Sequence, residues 1–178
     1  MKRVATQGSF GSSHQVMQSA ACLDKDTFRR CCSRFATGVA VATVMAPDGS
    51  PQGLTINSFT SVSCCPPLVL ICIDYRCSLL PAFRANSFYG VNFLAESQKP
   101  LSVQFSRSEA NRFEGIEWQQ GQTGVPLISG CLGRLECSVA QTVEAGDHAI
   151  FIAEVVKAEY CEGEPLVYYG SSYRHLNR

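Results

Sequence analysis

Neutral hydrogen-bonding side chains are concentrated in one short stretch of the chain. Between positions 55 and 63, six of nine residues carry a hydroxyl or an amide, although the surrounding pattern is typical of a β-strand. Such groups suit a ligand rich in carbonyl, hydroxyl and phosphate oxygens. An edge strand with a solvated face is the alternative interpretation. The candidate binding residues are Thr55, Asn57, Ser58, Thr60, Ser61 and Ser63.

A candidate anion site follows the apolar strand 68–73. The segment 74–78 leads into a helical pattern, and Ser78 is its predicted N-cap. A helix that begins there points free backbone N–H groups outward, and Arg76 adds a cation beside them. Together they suit a phosphate group. A plain capped helix with a surface arginine remains the alternative.

A single histidine, His148, follows a Gly-Asp turn at the start of the β-rich run 149–155. Histidines at strand starts are most often structural, and no serine or cysteine nucleophile is spaced to form a triad with it. Glu114 and Glu117 are interpreted as parts of a solvated loop. The sequence lacks the dinucleotide-binding, P-loop, hydrolase-elbow and zincin motifs, and no metal site is predicted.

The composition limits the class of protein. The 178 residues correspond to one domain, and the 46% hydrophobic and 17% charged fractions indicate a soluble globular fold. Fifteen basic residues balance fifteen acidic ones, so neither nucleic acid nor a membrane surface is an expected partner. Residues 4–13 lack the continuous apolar region of a signal peptide. We therefore interpret the ten cysteines as reduced core or lining residues of a cytoplasmic protein.

The elements that would position these residues are mostly strands. Residues 1–22 lack periodicity and are predicted to be a flexible arm, and residues 23–178 form the domain. An amphipathic helix is predicted from the N-cap Asp24 to Gly38, followed by a hairpin around 47–50. This pattern favours a mainly antiparallel closed or sandwiched sheet. Further strands are predicted at 53–63, 68–74, 88–95, 131–143, 148–159 and 166–169, and short helices at 78–85 and 98–106.

The order and spacing of many short segments between about Phe28 and Arg174 form a recognisable pattern. They are 35–39, 55–63 with 66–69, 78–80, 90–94, 112–115, 135–137, 146–148 and 165–168. In these segments the chain resembles the flavin-reductase-like family, which has the FMN-binding split β-barrel fold. Two departures are Ala153, where the family usually has glycine, and the segment 75–77 before the phosphate site.

The resemblance implies a mainly β fold, a six-stranded Greek-key split β-barrel with a few short helices, assembled as a homodimer. It also implies FMN, or FAD in some members, with NADH or NADPH as hydride donor and a separate monooxygenase as partner. In this scheme the 55–63 residues contact the flavin ring and ribityl chain, and Ser78 with Arg76 holds the phosphate. Asn92 approaches the ring through its backbone, and His148, Tyr173 and Arg174 place the nicotinamide.

The expected reaction is hydride transfer from nicotinamide C4 to flavin N5, for which no side-chain nucleophile is needed. His148 is therefore expected to orient the nicotinamide. Three alternatives stay open: a pyridoxamine-phosphate-oxidase-like enzyme, a flavin-binding redox sensor without turnover, and a barrel for another small molecule.

Overall fold

The computed structural model describes residues 23–107 and 111–176. The predicted flexible arm, 1–22, lies outside the described residues. The described chain is mainly β with short helices, as the sequence predicted. Its elements are α1 (Lys25–Cys32), β1 (Thr37–Gly38), β2 (Ala40–Met45), β3 (Pro51–Ile56), β4 (Thr60–Cys64), β5 (Pro67–Asp74), α2 (Leu80–Ala85), β6 (Phe88–Phe93), a 3-10 turn (Glu96–Gln98), α3 (Lys99–Ser106), β7 (Trp118–Gln120), β8 (Pro126–Ile128), β9 (Gly133–Ala145), β10 (His148–Tyr160), β11 (Val167–Tyr169) and β12 (Ser172–Arg174).

Helix α1 begins as predicted but ends early. The Asp24 carboxylate accepts a hydrogen bond from the backbone N–H of Thr27 at 2.9 Å, which confirms the N-cap. The helix closes at Cys32, where the Ser33 N–H donates to the Arg29 carbonyl, and it does not reach Gly38. No α1 residue is buried in this chain, so the predicted apolar stripe faces outward.

Seven antiparallel strands form the principal sheet, in the order β3-β2-β6-β9-β10-β5-β4. The count differs from the six strands that the resemblance implied. The predicted strand 53–63 is also wrong as one element, because it divides into β3 and β4 at opposite edges of the sheet. The link 57–59 has only three residues, and the Cα atoms of Ile56 and Thr60 are therefore at most about 15 Å apart. The sheet must curl so that its two edges approach each other.

A hydroxyl group in this link ties the two sides of the curled sheet together. Ser58 Oγ accepts a hydrogen bond from the backbone N–H of Cys72 and donates to the carbonyl of the same residue, both at 3.0 Å. Cys72 lies on β5, five strands away from β3 in the sheet. Inside the curl, Ile56, Ile71 and Phe151 are buried in one apolar cluster.

The sequence analysis did not predict four short strands: β1, β7, β8 and β12. They are two or three residues long, too short to show a period-2 pattern. Strands β1, β11 and β12 form a separate three-stranded sheet. Gly170 and Ser171, with φ of 57° and 60°, make the two-residue β11–β12 turn, whose central positions both require positive φ.

The loop between β7 and β8 is held by a buried carboxylate. Glu136, 1% exposed on β9, accepts hydrogen bonds from the Gln122 N–H at 3.1 Å and the Thr123 N–H at 2.7 Å. The Thr123 hydroxyl donates a third, at 2.6 Å. Burial raises the pKa of Glu136, and the Thr123 and Gln122 donors lower it by more, so the net shift is downward.

The described cysteines divide between interior and surface. Nine are free thiols, of which Cys131 and Cys137 are buried and Cys72 and Cys77 are half-buried. The expectation of core or lining positions is wrong for the other five, which are exposed: Cys31, Cys32, Cys64, Cys65 and Cys161. No helix in the described ranges combines the length and the apolar character needed to cross a membrane.

We predict that Glu136→Gln lowers the free energy of unfolding by about 1–3 kcal/mol at pH 7, because an amide leaves a buried donor without its acceptor. A carboxyl group with a lowered folded pKa stabilises the fold above its unfolded pKa, and this contribution is lost as the pH falls. The difference between wild type and variant should therefore shrink below about pH 4.5, the ordinary glutamate value. Urea unfolding at pH 7 and pH 4 measures it. The exposed Glu154→Gln is the control, and a difference independent of pH would contradict this account.

Candidate functional site

A polar groove lies between β3, α3 and the β11–β12 hairpin. Its main cleft has a volume of about 590 Å³, in the range of small-molecule sites. β3 and its end form one wall, α3 the floor, and the hairpin the opposite wall. The lining side chains are polar hydroxyls, an amide, a lysine and tyrosines with a few apolar groups: Val39, Thr55, Ile56, Asn57, Lys99, Ser102, Ser106, Tyr168, Ser171, Ser172 and Tyr173.

A second cleft, of about 360 Å³, continues the groove. It shares Thr55 and Ser106 with the main cleft, so the two form one continuous surface. Arg76 and Ser78, which follow β5, line its far end together with Arg112. The second cleft therefore spans the place where the β3 edge of the curled sheet meets the segment after β5.

Thr55 and Tyr173 are brought together by α3. The Thr55 hydroxyl donates to the backbone carbonyl of Ser102 at 2.7 Å, and the Ser102 and Tyr173 hydroxyls are 2.8 Å apart. The Lys99 ammonium lies 5.5 Å from the centre of the Tyr173 ring. Two residues that the sequence placed at the site thus meet in one groove through Ser102 and Lys99, which the sequence analysis missed.

The two arginines of the second cleft are in different states. The Arg76 side chain donates three hydrogen bonds to Asp74, from Nε to Oδ1 at 3.1 Å and to Oδ2 at 3.3 Å and from Nη2 to Oδ2 at 2.6 Å, and it is 82% exposed. The Arg76 side chain and backbone donors hold the pKa of Asp74 well below its usual range. Arg112 is half-buried, donates one bond to the Gly53 carbonyl at 2.8 Å, and has a buried Nε without a partner in the described chain. Arg112 has more unused donor capacity than Arg76.

The predicted N-cap role of Ser78 is wrong. Leu79 occupies the N-cap position of α2 without a side-chain hydrogen bond, and the helix has only six residues. A turn in which the Cys77 N–H donates to the Asp74 carbonyl precedes it. The second cleft therefore depends on side chains for its positive charge, not on a helix terminus.

The hydroxyl-rich stretch does not act as one surface. Thr55 and Asn57 line the main cleft, whereas the Ser58 hydroxyl is used within the fold. The other three lie on β4, at the opposite edge of the sheet, and do not line the two clefts of the groove: Thr60, Ser61 and Ser63. In the single chain, β4 is therefore an edge strand with exposed or half-buried hydroxyl side chains, as the alternative interpretation of the sequence expected.

Asn92 is placed in the core, not at the groove. It is 0% exposed, its amide donates to the Val41 carbonyl at 3.1 Å, and its Oδ1 accepts from the Ile128 N–H at 2.8 Å. Its backbone is equally enclosed in β6, between β2 and β9. The expected approach to a ring through this backbone has no open path in the described chain.

His148 is the first residue of β10, opposite Asp74 of β5 in the strand register. Its side chain is 41% exposed, and Nδ1 is 2.7 Å from Asp147 Oδ1. Through Asp74 it neighbours Arg76 and the far end of the groove. Arg174 is exposed at the end of β12, next to Tyr173.

Arg112 was visible in the sequence only as part of the 112–115 segment. Lys99 lies within the predicted helix 98–106, but the sequence did not indicate the direction of its side chain. Among the described residues, no group of three or more His, Cys, Asp or Glu side chains is arranged to hold a metal. The groove offers hydroxyls, tyrosines and cations, so its chemistry is that of binding an oxygen-rich anion and a polar ring system.

The comparisons with known proteins agree on one family. Residues 32–177 match the family described as "Flavin reductase like domain". The chain is 39% identical over 152 residues to an FMN reductase (NADH) from Agrobacterium fabrum, covering 85% of this chain and 86% of the relative. It is 37% identical to the reductase component of a 4-nitrophenol 4-monooxygenase/4-nitrocatechol 2-monooxygenase from Rhodococcus opacus, covering 86% of this chain and 82% of the relative.

A solved structure gives the same result. An NADH:FAD oxidoreductase from Streptomyces globisporus, in complex with NAD and FAD fragments, matches with a TM-score of 0.82 and 35% identity. The match covers 86% of this chain and 93% of that one. The chain therefore belongs to the flavin reductase like family.

Proposed function

We propose that this protein is an NADH:flavin oxidoreductase that transfers a hydride from the pyridine nucleotide to FMN or FAD. The observation that carries the proposal is the continuous groove, with arginines at one end and hydroxyls and tyrosines at the other. Relatives that this chain matches over more than four fifths of its length have this activity in their names.

The residues of the groove suit a flavin. Arg112, with its unpartnered Nε, and Ser78 offer donors for a phosphate in the second cleft. Thr55, whose hydroxyl already donates to Ser102, retains acceptor capacity for ribityl hydroxyls, and Asn57 offers an amide for a ring edge.

When bound, a flavin supplies the electron-accepting chemistry, and this chain supplies position and electrostatics. Arg112 and Arg76 hold the anionic end. The β3 wall fixes one edge of the ring, and the β11–β12 hairpin faces it across the groove. Tyr173, with Lys99 beside its ring, borders the space left for the pyridine nucleotide, whose phosphates are attracted by the ammonium group.

The assembly and fold details belong to the same proposal. The curled seven-stranded sheet is interpreted as a split β-barrel with Greek-key connections, closed at the 57–59 link. A homodimer is supported by exposed apolar side chains on and after α1, where Phe28 is 56% and Phe35 78% exposed. A second copy could also cover β4 and give Thr60, Ser61 and Ser63 a role in the flavin site.

We further propose that the protein is cytoplasmic and delivers reduced flavin to a separate monooxygenase. The Rhodococcus relative is named as the reductase component of such a monooxygenase.

Purified protein mixed with FMN and NADH in air should oxidise NADH, measured as loss of absorbance at the nicotinamide band. The reaction should require flavin and regenerate it through oxygen. FAD and NADPH are tested in parallel to rank the substrates. Tight flavin binding without NADH oxidation would contradict the proposed activity and support the sensor alternative.

We predict that Arg112→Gln weakens FMN binding by about 10- to 100-fold, the loss expected for hydrogen bonds to a charged group. Riboflavin, which lacks the phosphate, should bind wild type and variant alike. Arg76→Gln should have a smaller effect, because Asp74 already neutralises this arginine. Quenching of flavin fluorescence gives the dissociation constants, and Arg134→Gln, outside the groove, is the matched control. Equal weakening of riboflavin would argue against a phosphate contact.

The family resemblance places His148 at the nicotinamide, and its side chain lines neither of the two clefts. His148→Ala is therefore expected to raise the KM for NADH more than the Kd for FMN. A change of about 3- to 10-fold is expected for the loss of one hydrogen bond or ring contact. Steady-state kinetics at saturating flavin measures it. Equal effects on both ligands would contradict the orienting role.

A further inference from the structure

One buried residue connects both walls of the groove. Ser102 of α3 is 0% exposed. Its backbone carbonyl accepts the Thr55 hydroxyl at 2.7 Å on the β3 wall, and its own hydroxyl lies 2.8 Å from the Tyr173 hydroxyl on the hairpin wall. Ser102 therefore links the β3 wall of the main cleft to the hairpin wall.

The hairpin wall is attached to the rest of the chain at several points. Strand β11 pairs with β1 over two residue pairs, and the turn adds one backbone bond from the Gly170 N–H to the Ser33 carbonyl at 2.9 Å. Directly before β11, the Leu166 N–H donates to the Leu94 carbonyl, and after β12 the His175 ring hydrogen-bonds Glu96. Tyr168 and Tyr173 also pack against the buried apolar cluster. The Tyr168 and Tyr173 rings pack on each other with centroids 5.5 Å apart. By contrast, β9 and β10 share twelve residue pairs. The Ser102–Tyr173 hydrogen bond is the side-chain bond that joins this wall to α3 in the described chain.

The same helix face presents a cation to the hairpin. Lys99 and Ser102 are three residues apart on α3, so their side chains lie on one side of the helix. Lys99 approaches the Tyr173 ring, and Ser102 approaches the hydroxyl of that ring. The tyrosine is therefore held at its face and at its tip, and its orientation in the groove is determined by α3.

We propose that Ser102 is a positioning residue for the pyridine nucleotide: its hydroxyl seats Tyr173, and through it the hairpin wall that the nucleotide contacts. This inference rests on the proposed function. The Ser102 carbonyl, which serves the β3 wall, is unchanged by side-chain substitution. Removing the hydroxyl therefore loosens only the hairpin wall and leaves the flavin side in place.

The experiment compares Ser102→Ala, Tyr173→Phe and the double variant. Each single variant should raise the KM for NADH about fivefold, the effect of one lost hydrogen bond, with kcat and the Kd for FMN within twofold of wild type. The double variant should be no worse than either single variant, because both remove the same bond. The control is Thr43→Val, which removes another buried hydroxyl bond, from Thr43 to the Pro126 carbonyl, outside the groove. It should change the melting temperature but not the KM.

Hydrogen exchange of the ligand-free protein gives a readout that does not depend on activity. Backbone amides of 167–174 should exchange about fivefold faster in Ser102→Ala and Tyr173→Phe than in wild type, while amides of β9 and β10 stay unchanged. Unchanged exchange in the hairpin, or single-variant effects on KM that multiply in the double variant, would overturn the proposal. A wild-type protein that does not oxidise NADH overturns the proposed function and the nucleotide role with it. Faster hairpin exchange would then support the seating of the wall alone.

Discussion

The three-residue link between β3 and β4 is the constraint on which the rest of the structure depends. It carries the chain from one edge of a seven-stranded sheet to the other, and a link this short forces the sheet to curl. Ser58 strengthens the closure by bonding the backbone of Cys72 on β5 in both directions. Because the curl brings β3 towards β5, the end of β3 lies near the segment after β5, and both line the second cleft.

The charge of the groove is local and not a property of the whole molecule. Fifteen basic and fifteen acidic residues cancel overall, yet two arginines and a lysine line the joined clefts. Their environments differ. Arg76 is exposed to solvent and forms an ion pair with Asp74, whereas Arg112 is half-buried and its Nε has no hydrogen-bond partner in the described chain. A partly desolvated guanidinium binds an anion more strongly than a solvated, paired one, so Arg112 is the stronger candidate for a phosphate contact.

The sequence analysis found no nucleophile spaced to form a triad with His148. This agrees with a groove that binds and aligns its ligands. In hydride transfer between two ring systems, the protein contributes by holding the rings in the reactive geometry. In the proposed site, the Thr55–Ser102–Tyr173 connection would do this with neutral groups on three separate elements. It also explains why the site includes a helix, α3, in a fold that is otherwise built of strands.

The sequence by itself determined the mainly β class, the N-cap of α1, the hairpin after Met45 and most of the long strands. Alternation, turn residues and capping are local properties that neighbouring residues express on their own. The order of short segments also identified the family and predicted a site for Thr55, Asn57, Arg76, Ser78 and Tyr173, which line the two clefts. Only the tertiary structure decided that Ser58 and Asn92 serve the fold, that Ser78 is not a cap, and that Ser102, Lys99 and Arg112 belong to the groove. Those assignments depend on contacts between residues distant in the chain, and a side chain's direction and hydrogen-bond partners follow from packing that no local pattern encodes.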